Sequence, residues 1–186
     1  IGSALTEALE RQGHRVISLS SIDGDISSLE IWDRDDLEKI SHVFHLAGRT
    51  YVPDSWSHPF DFYRVNVLGT ESVLEFCRAK SIPLTYVSAY IYGTPQRLPI
   101  SEDDPIIPTN PYAHSKYLAE ELCRFYSLTY GQRIVVIRPF NAYGKGQAKN
   151  FLIPSIITQA LYRDEIVVKD LAPKRDYIYL TDLIRA

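Results

Sequence analysis

Leu84-Thr85-Tyr86-Val87 is a short, nearly continuous apolar run that closes on Ser88 and gives way to Ala89-Tyr90-Ile91-Tyr92-Gly93. A run without polar alternation suits a strand covered on both faces, the usual state of strands in parallel sheets. Outward from it, residues 16–19, 43–46 and 134–137 have the same character. Longer stretches with helical spacing separate these runs. Residues 4–12 stop at Gly13, a C-cap glycine. Residues 59–80 carry Val65, Val73, Phe76 and Cys77 on one face, and residues 112–130 carry Leu118, Leu122 and Phe125 before Gly131. Short strands alternating with helices predict an α/β fold, a doubly wound parallel sheet with helices on both faces. One connection is too short for that scheme. A crossover needs about 10–12 residues or more, so between the run ending near Leu19 and Gly24-Asp25-Ile26 either a helix or the strand itself is missing.

Composition narrows the function classes. The chain has 186 residues, 45% hydrophobic and 23% charged, enough for one globular domain with a sizeable core. A net charge of −3 gives no basic surface for nucleic acid or an anionic membrane. No apolar run approaches the roughly 20 residues that span a bilayer, and no signal-peptide core opens the chain. Cys77 and Cys123 read as reduced, buried thiols in a cytoplasmic protein. His14, His42, His45, His58 and His114 show no metal-ligand spacing, so no metal is expected. Trp32 and Trp56 read as packing residues. The chain begins at Ile1 and has no methionine, which predicts a piece trimmed at both ends. Residues 1–5 look like a helix start with no strand before it, and Thr181-Asp182-Leu183 like another. No domain boundary is expected before about residue 145, so 1–186 reads as one incomplete domain, with 145–186 opening a smaller lobe through 151–162 and 165–169.

The chemistry gathers at Tyr112-Ala113-His114-Ser115-Lys116. Positions i and i+4 share a helix face, so phenol and ammonium point into one space. A tyrosine has an ordinary pKa of about 10; a neighbouring cation is expected to move it towards neutrality, where a proton-transfer group must work. Tyr-x-x-x-Lys alone arises often by chance. Ser88 adds weight, because it stands at the carboxyl end of a strand, where α/β folds bind ligands.

With these residues assembled, the chain resembles the extended short-chain dehydrogenases/reductases of the NAD-dependent epimerase/dehydratase group. The resemblance runs through His45-Leu46-Ala47-Gly48, Asn66-Val67-Leu68-Gly69-Thr70, Ser88 to Gly93, Pro111 to Lys116, Arg138-Pro139-Phe140-Asn141 with Tyr143-Gly144, and Arg175-Asp176-Tyr177, in that order. It implies a Rossmann-like fold, here without its first strand, and NAD or NADP as cofactor. Ser88, Tyr112 and Lys116 then resemble the catalytic trio, with Lys116 also holding the nicotinamide ribose. Gly2 resembles the last glycine of the dinucleotide loop, where backbone meets pyrophosphate at a helix N-terminus. Ser20 stands where many NAD-specific members place a ribose-binding acid, which leaves NAD and NADP both open. Asp25 and Ile26 resemble the pair at the adenine; Leu46, Ala47 and Gly48 the wall behind the cofactor; Asn66 the residue holding the strand ends; Phe140 the backing of the nicotinamide. Asn141 and Arg175 fall where the family meets its substrate, with Ser88 reaching a substrate oxygen.

The implied activity is nucleotide-sugar epimerisation by reversible hydride transfer. A 4-keto-sugar-nucleotide reductase is the alternative. Dehydration is disfavoured, since the family's dehydratases resemble Thr-Asp-Glu where this chain has Ser88-Ala89-Tyr90, and Ala89 moves no proton. An inactive fragment or a cofactor-binding regulator on the same scaffold stands as the reading from another class. A homodimer through 59–80 and 112–130 is implied by the resemblance alone.

Overall fold

The computed structural model describes residues 1–168 and 170–186. Lys169, the end of the 165–169 segment assigned from the sequence to a smaller lobe, lies outside the described residues. In chain order the elements are α1 (Gly2–Arg11), β1 (Val43–His45), α2 (Val52–Ser57), α3 (Pro59–Tyr63), α4 (Gly69–Ala79), β2 (Leu84–Val87), α5 (Pro111–Tyr130), β3 (Ile134–Ile137), β4 (Asn141–Tyr143), α6 (Leu152–Tyr162), β5 (Tyr177–Tyr179) and α7 (Leu180–Arg185). Two 3-10 turns, Leu29–Trp32 and Asp35–Leu37, precede β1, and a π-helical turn, Arg64–Leu68, joins α3 to α4. The chain divides into a larger unit, Gly13–Arg138, and a smaller one made of Ile1–Gln12 and Pro139–Ala186.

The larger unit is built on a parallel sheet in the order β1-β2-β3. Val43 pairs with Leu84, and Leu84 with Ile134, so the three strands start and end nearly level. Among the described residues β1 and β3 each have one ladder neighbour. The core lies where α4 and α5 cover β2: Val73, Leu74 and Cys77 meet Leu84, Tyr86, Ala119 and Cys123. Burying a side chain such as Leu74 contributes about 1.5–3 kcal/mol, which is why this layer sets the position of β2. Both cysteines are free and buried. Trp32 packs as expected, its ring stacked on Phe76 at 4.7 Å, whereas Trp56 is exposed.

Helix α5 runs for 20 residues between two well-marked ends. Asn110 caps its N-terminus by accepting from the Ala113 amide at 2.8 Å, and Pro111 fills the first turn. Gly131 ends it with φ +65°, a left-handed conformation that glycine adopts without steric cost.

The expected strand at 16–19 does not form. Ile17 and Leu19 pack against the core, which explains their apolar character, but the segment joins no ladder among the described residues. Of the two alternatives for the short connection after Leu19, the strand is therefore the missing element; a turn at 20–23 and the 3-10 turns come next. The helix expected over 59–80 is also interrupted by its π-helical turn.

The smaller unit pairs β4 with β5 in parallel, Asn141 opposite Tyr177 and Tyr143 opposite Tyr179. Neither strand was anticipated. Gly144 is needed there because a Cβ would lie 2.7 Å from that of Leu180. Helices α1, α6 and α7 bury no residue. Among the described residues no helix is long and apolar enough to cross a membrane, and no cluster of ligating side chains could hold a metal.

Candidate active site

Ser88 is the first residue beyond β2 and is 5% exposed. Its amide donates to the Ile137 carbonyl at 2.8 Å, extending the β2–β3 ladder by one rung. Its hydroxyl has no hydrogen-bond partner. A buried hydroxyl left unpaired costs roughly 1–3 kcal/mol, so Ser88 carries unused hydrogen-bonding capacity at the end of β2.

Lys116 reaches the same strand end from α5. Its Nζ donates to the Val87 carbonyl at 2.7 Å, one residue before Ser88, and lies 4.3 Å from the centroid of the Tyr86 ring. An ammonium has three donors, and the Val87 bond takes one. Tyr112 sits one turn earlier, packed with Tyr117 and Ile106 around Ala89, Ile91 and Ala113, its ring edge-on to Phe62 at 6.3 Å. Lys116 and Ser88 therefore meet at the carboxyl end of β2, and Tyr112 packs on the cluster of Ala89, Ile91 and Ala113 beside it.

The electrostatics correct one expectation. Lys116 does not draw the phenol towards neutrality. Burial pushes Tyr112 up to about 12 and Lys116 down to about 7. Desolvation penalises both charged forms, and the ammonium spends its contact on a carbonyl and a ring. The phenol is therefore protonated at neutral pH.

Asn66, 1% exposed within the π-helical turn, ties the surroundings together. Its Oδ1 accepts from the Arg49 amide at 2.8 Å; its Nδ2 donates to the Arg49 carbonyl at 3.1 Å and to Ser115 Oγ at 2.9 Å. Ser115 in turn donates to the Tyr112 carbonyl at 2.8 Å. A fully satisfied amide thus links the loop after β1 to the first turn of α5, and the wide turn is what aims it. Gly48 leaves room for it, since a Cβ there would lie 2.9 Å from Asn66 Oδ1. Leu46 is half-buried beside exposed Ala47 and Gly48. Thr70 spends its hydroxyl proton on the Asn66 carbonyl at 2.6 Å, so His45 Nε2 must be the donor in its 2.9 Å contact with Thr70. That neutral tautomer agrees with burial driving His45 down to about 3.

Other expected residues occupy different places. Ile26 packs on α4, where a Cβ on Gly69 would come within 2.8 Å of it. Asp25 pairs with Arg64 and accepts from Ser27, whose amide and hydroxyl hold its carboxyl below the usual range. Ser20 is exposed, and its amide donates to Asp23 at 2.8 Å. Gly2, Phe140, Asn141 and Arg175 belong to the smaller unit. There Gly2 opens α1, Phe140 is half-buried and Arg175 is exposed. Asn141 donates from Nδ2 to the carbonyl of Asp176, the neighbour of Arg175, at 2.8 Å. Sequence reasoning missed Arg49, Ser115, Glu120 and Asp23. Of these, only Glu120, four residues beyond Lys116, carried a signal in its spacing.

Residues 1–186 match the family model described as the NAD dependent epimerase/dehydratase family. The chain is similar to the GDP-6-deoxy-D-mannose reductase of Pseudomonas aeruginosa, 37% identical over 155 residues, covering 77% of this chain and 51% of that one. It is also similar to the UDP-glucose 4-epimerase of Azospirillum brasilense, 33% identical over 185 residues, covering 89% of this chain and 53% of the relative. Thus it spans about half the length of these curated relatives. Among solved structures, RMD from Pseudomonas aeruginosa complexed with NADPH superposes with a TM-score of 0.84 at 32% identity, covering 99% of this chain and 67% of that one. The UDP-glucose 4-epimerase from Brucella ovis in complex with NAD gives 0.84 at 31% identity, with coverage of 99% and 67%.

Proposed function

Because the chain belongs to the NAD-dependent epimerase/dehydratase family, we propose that it carries the cofactor and proton-transfer half of an enzyme that oxidises and reduces a nucleotide-linked sugar. The observation that carries this reading is the convergence at the end of β2: a partnerless buried Ser88 hydroxyl, with Lys116 bonded one residue away and Tyr112 one turn before it.

These residues suit NAD or NADP. Lys116 keeps two donors for the ribose hydroxyls, Gly48 and Asn66 shape the wall beside it, and Asp25 and Ile26 are assigned to the adenine end, Asp25 while paired with Arg64 and Ile26 while packed on α4. Gly2, Ser20, Leu46, Ala47 and Phe140 complete the proposed cofactor set. A bound dinucleotide supplies the hydride acceptor and donor. Ser88 donates to or accepts from the reacting sugar oxygen, filling the valence it leaves open in the chain. Tyr112, protonated at pH 7, delivers its proton to a sugar carbonyl oxygen as that carbon is reduced, and recovers one in the reverse direction. Asn141 and Arg175 are assigned to the substrate; the planar fork of arginine suits a diphosphate.

Epimerisation uses both directions of this proton exchange. Reduction of a 4-keto sugar is the second reading, favoured by the protonated Tyr112 and by the similarity to a GDP-6-deoxy-D-mannose reductase. Residues 1–186 are proposed as one nucleotide-binding domain with 145–186 opening the substrate lobe, in a cytoplasmic homodimer.

The test is Tyr112→Phe. Binding of NADH or NADPH, followed by fluorescence, should be unchanged, while turnover of a UDP- or GDP-linked hexose should fall by about a hundredfold or more. Turnover within tenfold of the parent would remove Tyr112 from this role.

A further inference from the structure

Arg138 ends the larger unit just past β3, and its guanidinium reaches each segment that brings Ser88, Tyr112 and Lys116 together. Through Nε and Nη2 it donates to both carboxylate oxygens of Glu120, at 3.0, 3.0 and 2.7 Å. Through Nη1 it donates to the Tyr92 hydroxyl at 2.7 Å and the Glu102 carbonyl at 3.1 Å. Those partners lie on α5, on the segment leaving Ser88, and on the loop that returns to Tyr112. One planar cation with five fixed donors satisfies all three; an ammonium is a point charge and lacks the fork. The pair is nearly dry, with side chains 19% exposed for Arg138 and 7% for Glu120.

Glu120 is also one helical turn from Lys116, on the same helix and equally buried. The groups around Lys116 are Tyr86 and the Val87 carbonyl on β2, His45 on β1, and Tyr112, Cys123 and Glu120 on α5. Burial keeps His45, Tyr86, Tyr112 and Cys123 uncharged at pH 7. Burial is the largest influence on Lys116 and lowers it; Cys123 and then Glu120 act against it, and of those two only Glu120 carries a charge at pH 7.

We infer that Arg138 and Glu120 are positioning residues for Lys116: their ion pair fastens the Lys116 turn of α5 to the segment leaving Ser88 and holds a carboxylate one turn from the ammonium. The inference rests on the roles proposed for Ser88, Tyr112 and Lys116.

The test reads Lys116 directly by NMR in the chain without cofactor, its side-chain resonance identified by loss in Lys116→Arg. Glu120→Gln should lower the titration midpoint until the ammonium is the minority form at pH 7, and Glu120→Asp should restore part of the difference. In the parent, the Glu120 carboxyl carbon should inflect at the Lys116 midpoint, a measurement that needs no variant to fold. A folded Glu120→Gln with an unmoved midpoint, or a parent carboxyl without that inflection, overturns the inference. Failure of the cofactor reading would appear separately, as a parent chain with no NADH or NADPH fluorescence signal.

Discussion

Lys116 is a cation held almost out of water by one carbonyl and one aromatic face, and the chain bears a cost for keeping it. Its pKa is depressed from 10.5 in the unfolded reference to about 7. Between those values the unfolded chain binds the proton and the folded chain does not, so this residue makes stability rise as pH rises from about 7 to 10.5. Below pH 7 the cost is fully present. Lys116→Met should therefore melt above the parent at pH 6, by about 1–3 kcal/mol in stability, and should flatten the slope between pH 7 and 10. A variant less stable than the parent at pH 6 would contradict the assignment of the ammonium as a buried charge only partly compensated by its neighbours. That Lys116 would meet the end of the strand closing on Ser88 was legible in the sequence through the ordered motifs of the resemblance, since i, i+4 spacing alone arises often by chance. The sense of the Tyr112 perturbation was not, since spacing reveals neither desolvation nor which partner the ammonium takes. The Arg138–Glu120 pair was hidden because its members lie 18 residues apart, on different elements.

At the scale of elements, α5 shows how closely local signals can determine a boundary. Gly131 marks the C-terminal end in the sequence and the helix stops there, while Asn110 and Pro111 set the other end in the structure. Asn110→Ala removes the acceptor for the Ala113 amide and should cost about 1 kcal/mol in a denaturant melt; an unchanged midpoint would mean the cap is idle. The strands Leu84–Val87 and Ile134–Ile137 were equally readable from their apolar runs. Residues 16–19 carry the same kind of run yet form no strand, because pairing requires a neighbour and composition cannot guarantee one. The π-helical turn escaped notice for a different reason. Its residues fit ordinary helical periodicity, and only the bonds of Asn66 reveal what the wider turn achieves. Strands β4 and β5 span three residues each, too few for any periodicity to register.

Over the whole molecule, burial is uneven. The described hydrophobic residues that are fully buried run from Ile31 to Tyr126, all within the larger unit. Local opening is easiest where few apolar groups are shielded, so limited chymotrypsin digestion should cut first in the smaller unit, at exposed Tyr162 or Leu171. First cuts between residues 69 and 130 would contradict that order. The sheet of the larger unit carries a separate consequence. Its outer strands each have one flank without a ladder partner among the described residues, and Phe44 and Val135 stand 39% and 59% exposed on them. Backbone donors and acceptors left in open rows template the addition of further chains. Those two flanks of the described sheet are where a further strand, of this polypeptide or of another, would add.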